Sequence, residues 1–170
     1  MENKELNFEN ETRKHQQLVS RYINIFAQEL LKRANCHDKS KLENPERKQF
    51  VEYTEKLKDM EYGSEEYKKC MEEMKETLKH HYSLNKHHPE YWEINGWAFE
   101  TLYDPIRAMD LADIAEMICD WLAACKRHKN GSIYDSIEKN KERFGINDQL
   151  CYILNQTANM LECRLKKEKL

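Results

Sequence analysis

Apolar residues along this chain recur at intervals of three and four, the spacing of helices that bury one face. From about Glu11 to Ala34, Leu18, Val19, Tyr22, Phe26 and Leu30 define such a stripe and predict a first long helix. A second is expected from Asn44, where Asn can cap and Pro45 can take the first helical position, to about Met60. Tyr62-Gly63-Ser64 interrupts the pattern. Ser64 can then cap a third helix ending near Asn85, with Tyr67, Met71, Met74 and Leu78 on its inward stripe. Between Lys86 and Tyr103 the aromatic residues Tyr91, Trp92, Trp97, Phe99 and Tyr103 follow no clear period, which predicts an ordered aromatic connection.

Asp104-Pro105 reads as the start of another helix, and Arg127-His128-Lys129 before Asn130-Gly131 as its stop, with cations in the last turn. This segment is apolar on two faces: Leu111, Ile114, Ile118, Leu122 and Cys125 on one, Met109, Met117 and Ala124 on the other. It is expected to be the central helix. Ser132 with Asp135 resembles a capping box for a short helix to about Arg143, and Asn147 opens a last helix through Leu150, Ile153, Leu154 and Leu161. The expectation is an all-α, compact bundle of about six or seven helices, forming a single domain over residues 1–170.

Composition agrees with helices: Gly 4 and Pro 3 are scarce and charged residues make up 35% of the chain. Net charge is −3, with 28 Lys and Arg interleaved among 31 Asp and Glu. The basic groups Arg13-Lys14 and Lys166-Lys167 are short and flanked by acids, which argues against duplex nucleic acid as a partner. Six cysteines without a C-x-x-C pair, and no apolar leader, point to a reducing cytoplasm. No apolar run approaches the ~20 residues that cross a bilayer, so no membrane is expected as a partner.

Five of the seven histidines fall into two groups, His37 beside Asp38, and His80-His81 followed by His87-His88. His15 lies on the stripe of Leu18, Tyr22 and Phe26 and is expected to point inward. Periodicity favours His81 over His80 as an interior residue, because His81 continues the Tyr67–Leu78 stripe while His80 follows Glu73 and Glu76. On the two-faced helix, Asp113 and Asp120 share the side of Met109, Met117 and Ala124, with Glu116 at its edge. Buried carboxylates need compensation, so either salt bridges or a metal is expected there. A mixed imidazole and carboxylate shell suits Mn, Fe, Co, Ni or Zn, and a cation offsets the acids.

The order His15, His37-Asp38, histidines near 81 and 87, then Asp113 resembles the HD-domain superfamily of metal-dependent phosphohydrolases. His37-Asp38-Lys39-Ser40-Lys41 is similar to that superfamily's H-D-x-G-K stretch, with Ser40 in place of Gly, and Leu111-Ala112-Asp113 to its L-A-D segment. More narrowly, HHYSLNKHHPEYW and DLADIAEMICDW resemble a small family of short HD-like proteins of bacteria and phages whose function is unassigned. The resemblance implies that His15, His37, Asp38 and Asp113 hold a first metal ion. It implies that His81 and one of His87 or His88 hold a second, if there are two. It also implies hydrolysis of a phosphate ester, with Asp38 orienting water or bridging metals and Lys41 meeting a phosphate. His80, Glu90 and Asp120 are then expected to touch substrate or to orient the imidazoles from behind. Trp92 and Trp97 can stack a nucleobase, which makes a nucleotide the expected substrate. The alternatives are a di-iron oxygenase built on the same ligands, and a non-catalytic module that binds metal or nucleotide.

Overall fold

The computed structural model describes residues 2–58, 60, 63–96, 105–127 and 130–168. Tyr62, Trp97, Phe99, Tyr103, Asp104, His128 and Lys129, used above to delimit elements, lie outside them. The described residues form eight α-helices and two 3-10 turns and contain no strand, so the all-α class holds. None of these helices is long and apolar enough to cross a membrane. The chain divides into two units, Met1–His37 and Asp38–Leu170.

The first unit is one helix, α1 (Glu2–Cys36). It begins well before the expected Glu11, because nothing from Glu2 onward breaks a helix and the apolar stripe is not what sets its start. Ion pairs of neighbouring turns lie along it, Lys14 with Glu11 at 2.7 Å and Arg33 with Glu29 at 3.0 Å. With one helix in the unit, the stripe of Leu18, Tyr22 and Phe26 has no packing partner within that unit.

The second unit opens with a 3-10 turn (Lys39–Leu42), followed by α2 (Glu46–Lys58), α3 (Glu65–Glu73), α4 (Lys75–Leu84) and α5 (Pro89–Ile94). The α2 start differs from expectation: Asn44–Pro45 is cis and the helix begins at Glu46, where the Arg47 N–H reaches back to Glu43 O at 2.9 Å. Ser64 does cap α3, accepting from the Tyr67 N–H at 3.1 Å. The single third helix is instead two, divided at Met74, whose φ of −90° and ψ of 0° leave the α region. Met74 is fully buried against Tyr53 and Cys70, so core packing decides this break. Tyr53 donates to Glu73 Oε2 at 2.7 Å, tying α2 to α3, and this bond pushes the phenol pKa up to about 12.

Part of the expected aromatic connection is α5, with Pro89 in its first turn. Trp92 is core and not pocket wall; its Nε1–H donates to Lys86 O at 3.0 Å. After a 3-10 turn (Pro105–Ala108) come α6 (Leu111–Arg127), α7 (Ile133–Phe144) and α8 (Asp148–Lys167). Pro105 therefore starts the 3-10 turn, and Asp110 caps α6: its Oδ1 accepts the N–H groups of Ala112 and Asp113, both at 2.8 Å. Leu111 is exposed, unlike Ile118 and Met117 on the same helix. Ser132 and Asn147 cap α7 and α8 as expected, accepting from Asp135 and Leu150. Met117, Ile118, Ile137 and Leu154 form the centre of the main core, with Trp92 at its edge.

Glycine is required by geometry at Gly131 and at Gly145. A Cβ on Gly131 would lie 2.0 Å from the Cys125 carbonyl oxygen, and Gly145 ends α7 at φ +65°. Gly131→Ala should therefore destabilise by about 1–3 kcal/mol through overpacking against backbone that cannot yield. Gly145→Ala, with open space but a left-handed backbone, should cost about 1–2 kcal/mol. Denaturant midpoints of the two variants check both, and a Gly131→Ala protein as stable as the parent would contradict the close approach.

Candidate metal centre

Asp38 stands at the N-terminal end of the first 3-10 turn with φ 55° and ψ 20°, a left-handed conformation that Asp tolerates better than most residues. Its carbonyl accepts the Lys41 N–H at 3.0 Å, and its Oδ2 pairs with Lys41 Nζ at 2.5 Å. The turn and the lysine together fix the carboxylate. His81 arrives from the last turn of α4, whereas His87 and His88 precede α5, with His88 as its N-cap residue. Asn85 links these pieces, donating from Nδ2 to His81 O at 2.7 Å and to Ser40 Oγ at 3.1 Å.

The four side chains Asp38, His81, His87 and His88 each offer one ligand atom, and these atoms lie within 4.8 Å of one another. Asp38 Oδ1 is 3.3 Å from His81 Nε2 and 3.6 Å from His87 Nε2, while His81 Nε2 and His88 Nε2 are 3.0 Å apart. His81 and His87 are almost wholly buried.

Behind the cluster stand two carboxylates. Glu46, at 0% exposure, meets His81 Nδ1 through Oε2 at 2.9 Å and His80 Nδ1 through Oε1 at 2.9 Å, and accepts the Ser40 hydroxyl at 2.8 Å. Glu116 Oε1 is 3.2 Å from His87 Nδ1. A carboxylate on Nδ1 selects the tautomer protonated there, which leaves the Nε2 lone pair of each ring facing Asp38 Oδ1. Lone pairs of two imidazoles and a carboxylate directed at one another repel unless positive charge lies between them. Protons can supply that charge. So can a divalent cation, and three nitrogens with one oxygen suit a transition metal. The residues present therefore fit a metal ion.

His88 is the imidazole most affected electrostatically. Burial lowers its pKa to about 2, the His87 and His81 rings add to the effect, and Asp120 and Asp38 oppose it. At neutral pH it is an uncharged ring with a lone pair to give.

Of the expected site residues, Asp38, His81, His87 and His88 come together. His81 is the buried member of its pair, and His80, 40% exposed at its side chain, meets the other oxygen of Glu46. His15 and His37 belong to the first unit, on α1 and at its end. Asp113 is buried, and one compensating contact is neither an ion pair nor a metal: its Oδ2 accepts the Asp110 N–H at 2.9 Å, closing a reciprocal cap with Asp110. Asp120 is half-buried and has a carboxylate oxygen within 4.8 Å of one of Asp38. Glu90 pairs with Arg143 at 2.5 Å. Lys41 is engaged by Asp38. Glu46 was not expected, because an acid in the first turn of a helix reads as an ordinary dipole partner. Glu116 was visible only as the edge of an apolar face.

A neutral buried His88 makes the stability of the metal-free protein depend on pH. Its folded pKa lies below the unfolded value of ~6.5, so the unfolded chain binds the extra proton between about pH 6.5 and 2. Stability is thus full above ~6.5 and falls with acid, by up to about 1.4 kcal/mol per pH unit from this group. Urea midpoints of metal-free protein at pH 7.5 and 5.5 should differ more for the parent than for His88→Gln. Equal differences would mean that the ring is not held neutral.

No curated protein and no solved structure matches this chain. Residues 4–165 match the model of a family of unknown function, DUF5662, and the chain belongs to that family.

Proposed function

We propose that this protein is a metal-dependent phosphohydrolase of HD type, acting on a nucleotide or related phosphate ester. The observation that carries the reading is the convergence of Asp38, His81, His87 and His88, with Glu46 and Glu116 behind two of the rings. These four residues would hold an ion of Mn, Fe, Co, Ni or Zn. The HD resemblance adds Asp113 to that shell. When bound, the ion supplies an acidified water and positive charge against phosphoryl oxygens.

The chain's own residues supply the rest. Lys41 holds one oxygen of Asp38, so the other stays directed at the ring nitrogens and can orient a water or take its proton. This gives Lys41 a positioning role in place of the phosphate contact expected from sequence. Glu46 and Glu116 keep the rings of His81 and His87 in one tautomer and orientation. A cleft of about 760 Å³ whose wall includes His88, Tyr67, Tyr82 and Trp121 supports an aromatic substrate beside the centre.

Protein purified without chelator should carry a transition metal, hydrolyse phosphate esters in a substrate panel and lose that activity to EDTA. An oxygen-dependent optical change in iron-loaded protein without phosphate release would transfer the reading to an oxygenase. Retained metal with neither activity would make the protein a binding module. Glu46→Ala should weaken metal affinity about 10–100-fold. Lys41→Ala should also lower metal content, since it releases Asp38; elemental analysis of both variants reads this directly, and full occupancy in both would remove their assigned roles.

A further inference from the structure

His88 belongs at once to the ligand cluster and to the wall of the 760 Å³ cleft, so the cluster borders that space. The volume lies in the range of pockets that enclose small organic ligands. Two chemistries meet on its walls. Tyr82 and Trp121 offer rings, and Lys139 and Arg143, one helical turn apart on α7, offer positive charge.

Arg143 is built differently from an ordinary surface cation. Its Nη2 is held at 2.5 Å by Glu90 Oε1, whose side chain is only 13% exposed, and its guanidinium carbon lies 4.6 Å from the centre of the Phe144 ring. A carboxylate on one edge and a ring against the group fix the orientation of the planar fork. A guanidinium carries five N–H donors, so one contact to Glu90 does not exhaust it. Its side chain remains 54% exposed and its residue lines the cleft, so a ligand can reach it. A fork fixed in advance loses little freedom on binding and suits the paired oxygens of a phosphate better than a lysine does.

We propose that this cleft binds the part of the substrate beyond the reacting phosphate, and that Arg143, braced by Glu90, receives a second phosphoryl group. The preferred ligand then carries an aromatic base and two phosphoryl groups, as in a nucleoside diphosphate. This rests on the hydrolase reading for which phosphate reacts, but the cleft's selectivity is measurable without turnover.

The test is equilibrium binding of ADP and AMP to the full-length, metal-loaded protein by calorimetry, with Arg143→Ala and Arg143→Lys beside the parent. The parent should favour ADP by about tenfold or more, the value of one charge-assisted phosphate contact. Arg143→Ala should reduce the ADP to AMP ratio to about one, and Arg143→Lys should restore only part of it, because a lysine is a point charge. A purely structural Glu90–Arg143 tether would weaken both ligands in parallel and leave the ratio unchanged, which would overturn the proposal, as would equal binding of ADP and AMP by the parent. If Arg143→Ala does not fold, Arg143→Lys decides alone: an unaltered ratio in it would also overturn the proposal. Absence of phosphate release from every ester by the parent would sink the hydrolase reading, whereas the binding ratio judges the cleft independently.

Discussion

The buried carboxylate of Glu46 is the constraint on which the rest of the second unit depends. Removing an ionised carboxylate from water costs several kcal/mol unless hydrogen bonds and opposite charge replace the lost hydration. Here Ser40, His80 and His81 surround it, drawn from the first 3-10 turn and from α4. Satisfying one acid therefore joins three segments. None of them can shift without exposing an unpaired group, so the geometry of the cluster is held by the cost of breaking it.

That constraint also explains why the centre is imidazole-rich and poorly exposed. Each ring with a carboxylate on Nδ1 must present Nε2 elsewhere, and for His81 and His87 that direction leads to Asp38. The left-handed turn at Asp38 and its pairing with Lys41 keep the facing oxygen in place. His88 differs. It lines the cleft, and burial, reinforced by the neighbouring rings and opposed by Asp120 and Asp38, holds its pKa low. The same residue thereby joins a closed polar cluster to an accessible space.

Helix α6 shows a second way of accommodating an acid. Asp113 and Asp110 exchange side chain to backbone bonds across the first turn, where the free N–H groups of a helix favour negative charge. Glu116, one turn further on, reaches His87. One helix thus contributes a capped terminus and a ring-orienting acid from the same polar edge, while Met117 and Ile118 anchor it in the core.

Local patterns carried much of this in the sequence. The caps at Ser64, Ser132 and Asn147 depend on contacts only three residues away, and the stripe of α3 depends on a fixed period, so both were legible, whereas of the α8 stripe Leu154 is buried and Ile153 exposed. The preference for His81 over His80 came from the same period, and His81 is the buried ring. The break at Met74, the burial of Trp92 and the cap at Asp110 were not legible, because packing and competing caps chose among locally similar alternatives. Glu46 was hidden for a stronger reason. Its partners Ser40 and His81 are 41 residues apart, and no period links a first-turn acid to imidazoles on another helix. The sequence by itself determined the helical class and the stock of histidines and acids. Only the tertiary structure decided which ring faces which carboxylate, since that depends on the long-range desolvation of charge and not on any repeat along the chain.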